Sequence, residues 1–182
     1  MSSDRDVLSE RSDRLRVDAG TQVLASFSSM QSPLTELPPG AYQNLLVVST
    51  KSPETVERRL GELGVPLSNV GLVPLAGSEY DYDGPLWTTD PVKPNDPTGL
   101  SIAYSDAATH LIPGVGHLLV GNLNVMAMYV REETVCRVLS HLAGKARQRS
   151  ITGIYGVVET ALSEASFRNF RKAVDVEIDC RR

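Results

Sequence analysis

Apolar residues gather in short continuous runs separated by polar and turn-forming stretches, the spacing expected of strands buried on both faces. Leu45-Leu46-Val47-Val48 is the clearest run, and Val70 to Leu75, His117 to Val120 and Ile151 to Val158 read the same way. After the first run, Ser52 fits an N-cap, Pro53 the first helical position and Glu54 the positive end of a helix dipole. Val56, Leu60 and Leu63 then recur at helical spacing, and Gly64 supplies a C-cap before Val65-Pro66. A strand, helix, strand unit of this kind argues for a parallel sheet with right-handed crossovers. Further along, Val135, Val138, Leu139 and Leu142 make one face of a helix over about 131–147, Ser163 to Lys172 reads as another, and Val174 to Ile178 alternates as a strand at a sheet edge. The fold class expected is α/β, a mainly parallel sheet with helices on both faces.

The pattern is weaker in two places. Residues 1–40 read as an N-terminal arm, partly mobile in its first twelve residues, closed by Pro33, Pro38, Pro39 and Gly40. Within it, Thr21 to Phe27 fits a short strand or a helix. Residues 76–99, rich in Pro, Asp and Gly, read as a long elaborated loop inside a domain spanning 41–182. Leu100 to Tyr104 then reads as a short strand, with Ser105-Asp106 capping a helix that runs through Leu111.

At 182 residues the chain has room for one well-buried core. A formal net charge of −4 gives no broad attraction to phosphate backbones or anionic lipid, so nucleic acid is a poor first expectation. No apolar stretch is long enough for a signal peptide or membrane anchor, because the longest, Leu118 to Val130, is interrupted by Asn122 and Asn124. A cytoplasmic protein is expected. Cys136 and Cys180 lie far apart without zinc-type spacing and read as structural reduced thiols.

Three segments in order resemble the second half of a RecA-like domain of the archaeal KaiC-type superfamily. LLVVSTKSPETVERRLGELGVPLSNVGLVPL is similar to its strand, helix, strand segment, HLLVGNLNVMAMYV to its Walker B strand and following turn, and VLSHLAGKARQRSITGIYGVV to the next helix and core strand. The resemblance implies a three-layer P-loop NTPase-type sandwich over most of residues 44–180. It also implies a Walker B aspartate where this chain has Gly121, followed by Asn122, Leu123 and Asn124. A phosphate loop needs GxxxxGK[ST], which occurs nowhere in the sequence. Lys51 precedes Ser52 after a strand, yet Ser49-Thr50 offers no glycines to open a phosphate nest. The chain departs from both halves of a magnesium–ATP site, and a pseudo-ATPase without cofactor or metal is expected.

Other candidate chemistry is sparser. Asp81, Asp83, Asp90 and Asp96 do not match a calcium loop and read as a solvated turn region. Tyr80, Tyr82, Leu86 and Trp87 either pack the long loop onto the domain or anchor a partner. His110, His117 and His141 are scattered without a recognisable nucleophile. Lys145, Arg147 and Arg149 either complement a helix C-terminus or face a neighbouring subunit. Thr50, Lys51, Asn122 and Glu159 fall at the carboxyl ends of strands, the edge where open α/β sheets bind ligands.

These readings lead to a noncatalytic RecA-like regulatory or assembly protein, acting through a protein partner or self-association. A nucleotide or metabolite sensor at the strand carboxyl ends is the second expectation. Nucleic-acid binding through the Arg131 to Arg149 helix and the N-terminal arginines is the third.

Overall fold

A computed structural model describes residues 13–158 and 162–182. Seven strands form one all-parallel sheet in the order β4-β3-β2-β5-β6-β1-β7. They are β1 (Gln22–Ser26), β2 (Leu45–Ser49), β3 (Val70–Pro74), β4 (Trp87–Thr88), β5 (His117–Val120), β6 (Thr152–Val157) and β7 (Val176–Asp179). The helices that lie wholly within the described residues are α1 (Pro53–Glu62), α2 (Pro97–Ala108), the single-turn α3 (Leu123–Met126), α4 (Glu132–Gln148) and α5 (Glu164–Lys172).

The continuous apolar runs exist because both sheet faces are covered. Along β2, Leu46 and Val48 enter one core while Leu45 and Val47 enter the other, and β5 divides Leu118 and Val120 from Leu119 in the same way. The first face is roofed by α2, α4 and α5 through Leu100, Tyr104, Leu139, Leu142, Phe167 and Phe170. On the second face, among the elements that lie wholly within the described residues, the one α-helix is α1, which contributes Val56 and Leu60. That layer also includes two 3₁₀ turns, Pro33–Thr35 and Pro39–Gln43, which bring Leu34, Ala41 and Tyr42 onto the strands, and irregular segments that add Leu15, Leu37 and Leu86.

Local signals set most boundaries. Ser52 Oγ accepts a bond from the Thr55 amide at 3.2 Å, Pro53 opens α1, and Gly64 follows its end at φ 70°. Ser163 caps α5 by accepting from the Ser166 amide. β7 lies at the sheet edge, as its exposed and alternating residues predict.

Three expectations need correction. Leu100 to Tyr104 is helical, part of α2, because Asp96 accepts from the Gly99 amide at 2.9 Å and Pro97 occupies the first turn. Ile102 is 60% exposed, whereas Leu100, Tyr104, Ala107 and Leu111 are buried at helical intervals. Residues 76–99 are not wholly loop, since Trp87 and Thr88 pair with Gly71 and Leu72 as an edge strand and α2 begins at Pro97. Residues 13–40 do not stand outside the domain either, while the first twelve, expected to be mobile, lie outside the described residues. β1 is an internal strand paired with β6 on one side and β7 on the other, which also settles its strand-or-helix ambiguity.

A buried polar network holds β1 in place. Gln22 is fully buried, its Nε2 donating to Gly20 O at 2.9 Å and Ile151 O at 2.8 Å while its Oε1 accepts from Tyr155 OH at 2.8 Å. Its amide donates to Asp175 Oδ2, and Asp175 in turn receives Arg147. Every strong donor and acceptor of the Gln22 side chain is thereby satisfied inside a low-dielectric core.

The opposite end of the sheet is closed by contact between backbones. A Cβ on Gly156 would collide with the carbonyl oxygen of Gly121, and Pro33 Cγ lies 3.4 Å from the same point. Neither neighbour can rotate away. Gly156→Ala should therefore destabilise the protein by about 1–3 kcal/mol, read as a lower urea midpoint. Gly40→Ala, with open space around the new methyl, should change stability by no more than about 0.5 kcal/mol.

Candidate functional site

Because all strands run in one direction, the residues that follow β1, β2 and β5 meet along one edge of the sheet. They enclose a cleft of about 230 Å³. Residues 29–34 form one wall, residues 47–51 and 119–122 the strand side, and Val56 and Arg59 of α1 with Val125 and Met126 near α3 complete it. Thr50, Lys51 and Asn122, separated by about seventy positions in sequence, all line this one space. Glu159 lies outside the described residues.

The cleft is built by short polar contacts at strand ends. Ser49 Oγ accepts from the Lys51 amide at 3.0 Å, which turns the chain out of β2 towards the Ser52 cap. Gly121 donates its amide to Val48 O at 2.9 Å, extending the β2–β5 pairing by one residue. Asn122 Oδ1 then accepts from the Asn124 amide at 2.9 Å and caps α3. Asn124 reaches across to the end of β6, donating through Nδ2 to Val158 O at 3.1 Å and accepting from the Val158 amide at 2.6 Å. The loop after β1 is fixed in turn, with Gln31 accepting from the Ser28 amide and donating to Cys180 O.

Two cations, Lys51 and Arg59, line the cleft, and among the described residues no carboxylate does. Arg59 was not evident in the sequence. It sits beside Arg58 with nothing to distinguish it, and only the orientation of α1 places it in the wall. Its Nε is enclosed without a hydrogen-bond partner. The strand of the Walker B resemblance ends at Gly121 here, with ordinary van der Waals space around its Cα. β1 leads into Phe27-Ser28-Ser29-Met30-Gln31-Ser32 and a 3₁₀ turn, where no glycine or helix follows the strand.

The remaining candidates are dispersed. Tyr82 OH donates to Glu57 Oε2 at 3.1 Å and accepts from the Leu86 amide at 3.2 Å, so this part of the long loop is fastened to α1. Trp87 is 41% exposed, its ring centroid 4.5 Å from that of His110. Tyr80 borders a separate shallow cavity. Lys145 donates to Ser105 Oγ, Arg147 pairs with Asp175, and Arg149 donates to Ala108 O and Leu111 O at the end of α2. These three cations thus have partners within the chain, and Arg149 caps a neighbouring helix rather than its own.

The histidines do not converge on one site. His141 Nε2 meets Ser101 Oγ at 2.6 Å, His110 packs against Trp87 with the rings tilted by 56°, and His117 Nδ1 is 3.1 Å from Val115 O. Burial lowers the His117 value below the ordinary histidine range. Cys136 and Cys180 are free thiols, and burial pushes Cys180 up to about 11. Among the described residues no group of three His, Cys, Asp or Glu side chains could hold a metal ion, and no helix is long and apolar enough to cross a membrane.

Comparison with known proteins gives a family and a fold. A family described only as being of unknown function (DUF7504) matches residues 27–180. No curated protein matches the chain. Among solved structures, a KaiC-like protein from the hyperthermophilic archaeon Pyrococcus horikoshii OT3 superposes with a TM-score of 0.62 at 12% identity, covering 92% of this chain and 76% of that one. A second protein of Pyrococcus horikoshii OT3 gives a TM-score of 0.60 at 13% identity, covering 94% and 87%. At such identities the likeness establishes the RecA/KaiC-like fold.

Two stability measurements test how the cleft is built. Replacing Arg59 by Met removes an enclosed, unpartnered Nε while keeping the aliphatic stem, so the ligand-free protein should gain about 1 kcal/mol. A loss of that size would mean that Arg59 already has a partner in solution. Tyr42 donates to Leu34 O behind the cleft wall, and burial raises its hydroxyl from the ordinary 10.0 to about 12. The native state therefore keeps this proton where the unfolded chain has lost it. That contribution is whole below pH 10 and is lost as pH rises from 10 through about 12. Between pH 9 and 11 the urea midpoint of Tyr42→Phe should fall less steeply than that of the wild type.

Proposed function

The chain belongs to DUF7504, a family of unknown function, and on that premise we propose that it is a noncatalytic KaiC-like domain with a regulatory or assembly role, exercised through a protein partner or a second copy of itself in the cytoplasm. The observation that carries this reading is the composition of the carboxyl edge. A phosphate loop works by presenting consecutive backbone amides and a lysine to the phosphates, and its following helix adds a positive dipole end. Here β1 is followed by a serine-rich segment and two 3₁₀ turns, and Pro33 lies against the end of β6 where Gly156 leaves room. Gly121 offers no anionic oxygen for hydrated magnesium.

A second reading is favoured by the convergence of Thr50, Lys51 and Asn122 on one cleft. Under that reading the domain is a sensor, and ligand binding at the carboxyl edge biases its association. Binding without turnover needs only contacts that favour one state, and it accords with a site furnished with hydroxyls, amides and cations.

Purified protein should show no magnesium-dependent ATP hydrolysis above background. Hydrolysis that requires magnesium and disappears in Lys51→Ala would overturn the noncatalytic reading.

A further inference from the structure

We propose that the carboxyl-edge cleft binds a small organic oxyanion, a carboxylate or phosphate monoester with a compact apolar body, and that Arg59 is its principal anchor. The inference deepens the reading of this cleft as a ligand site and does not depend on the assembly role.

Charge supplies the first argument. The chain carries 22 acidic against 18 basic side chains, and several arginines elsewhere find carboxylates: Arg147 meets Asp175 at 2.9 Å, Arg171 meets Glu177 at 2.6 Å and Arg182 meets Glu36 at 2.7 Å. Arg59 and Lys51 take part in none of these ion pairs although both face the same enclosed space. A guanidinium whose Nε is shut away from solvent without a partner is unfavourable alone, and a bound oxyanion in the cleft that Arg59 lines would supply the countercharge that the chain does not. With no carboxylate in the described lining, nothing there opposes a second negative charge, and Lys51 stands at the rim as a point charge.

Shape and polarity supply the second. Val47, Val56, Leu34 and Leu119 give the cleft an apolar side, while Ser29, Ser32, Thr50 and Asn122 provide neutral hydrogen-bonding groups. Asn122 spends its Oδ1 on the α3 cap, which leaves its Nδ2 as a donor. A volume of about 230 Å³ falls below the range of about 300–1,000 Å³ that holds drug-sized molecules, so the occupant is a small metabolite. The absence of carboxylates from this lining also disfavours a magnesium-bound polyphosphate.

Thermal-shift titrations of the whole protein with phenyl phosphate, phenylacetate, inorganic phosphate and benzyl alcohol at constant ionic strength test the assignment. Either aromatic oxyanion should raise Tm, with the stronger of the two identifying the head group, and benzyl alcohol and inorganic phosphate should bind more weakly. Arg59→Met should weaken the aromatic oxyanion by about 10–100-fold, as expected for loss of a charge-assisted bond, while Arg58→Met on the same helix should not. Equal binding of benzyl alcohol and phenyl phosphate, unchanged in Arg59→Met, would overturn the oxyanion assignment and leave the cleft as a neutral-ligand site. Silence from all four probes would overturn both.

Discussion

A parallel sheet buried on both faces leaves its strands no tolerance for unpaired polar atoms except at their ends, and that constraint organises this molecule. At the amino edge it is met by Gln22, whose side chain and amide are satisfied by Gly20, Ile151, Tyr155 and Asp175. At the carboxyl edge the chain turns out of the sheet, and side chains such as Ser49, Asn122 and Asn124 take over the bonds that the ladder no longer supplies. The cleft is what remains between those turns. Its polar character follows from the same rule that makes the strands apolar.

The two faces are covered by different means. Three long helices, α2, α4 and α5, and the single-turn α3 lie over one side, where their buried residues pack on β5, β6 and the neighbouring strands. Opposite them, α1 shares its layer with 3₁₀ turns that carry Leu34, Ala41 and Tyr42. A chain that runs from β1 to β2 by such turns has no helix dipole to offer at the end of β1. The chemistry of that strand end therefore depends on side chains, and serine, glutamine and a distant arginine supply it.

How far the fold was legible follows from this arrangement. β2, β5 and β6 showed themselves as unbroken apolar runs, and α1 and α5 announced their starts through Ser52-Pro53 and Ser163. β1 was ambiguous because five buried residues carry no periodicity that separates strand from helix. Leu100, Ile102 and Tyr104 alternate and so mimic a strand, and only the burial of Ala107, Ala108 and Leu111 reveals the helical face. β4 is too short to leave any pattern. At the site, Thr50, Lys51 and Asn122 were visible because they end recognisable strands. Arg59 was not, since its part depends on how α1 lies across the sheet, which is a tertiary fact with no local signature.

The sheet's two margins bear on how such a domain can meet another. β4 offers two residues of backbone, and β7 presents Glu177 and Asp179, with Arg14 already donating to the Asp179 carbonyl. Short margins that carry charged side chains disfavour the addition of a foreign strand to the ladder. Were the proposed partner to dock at the mouth of the cleft, association and ligand occupancy would compete for the same ground.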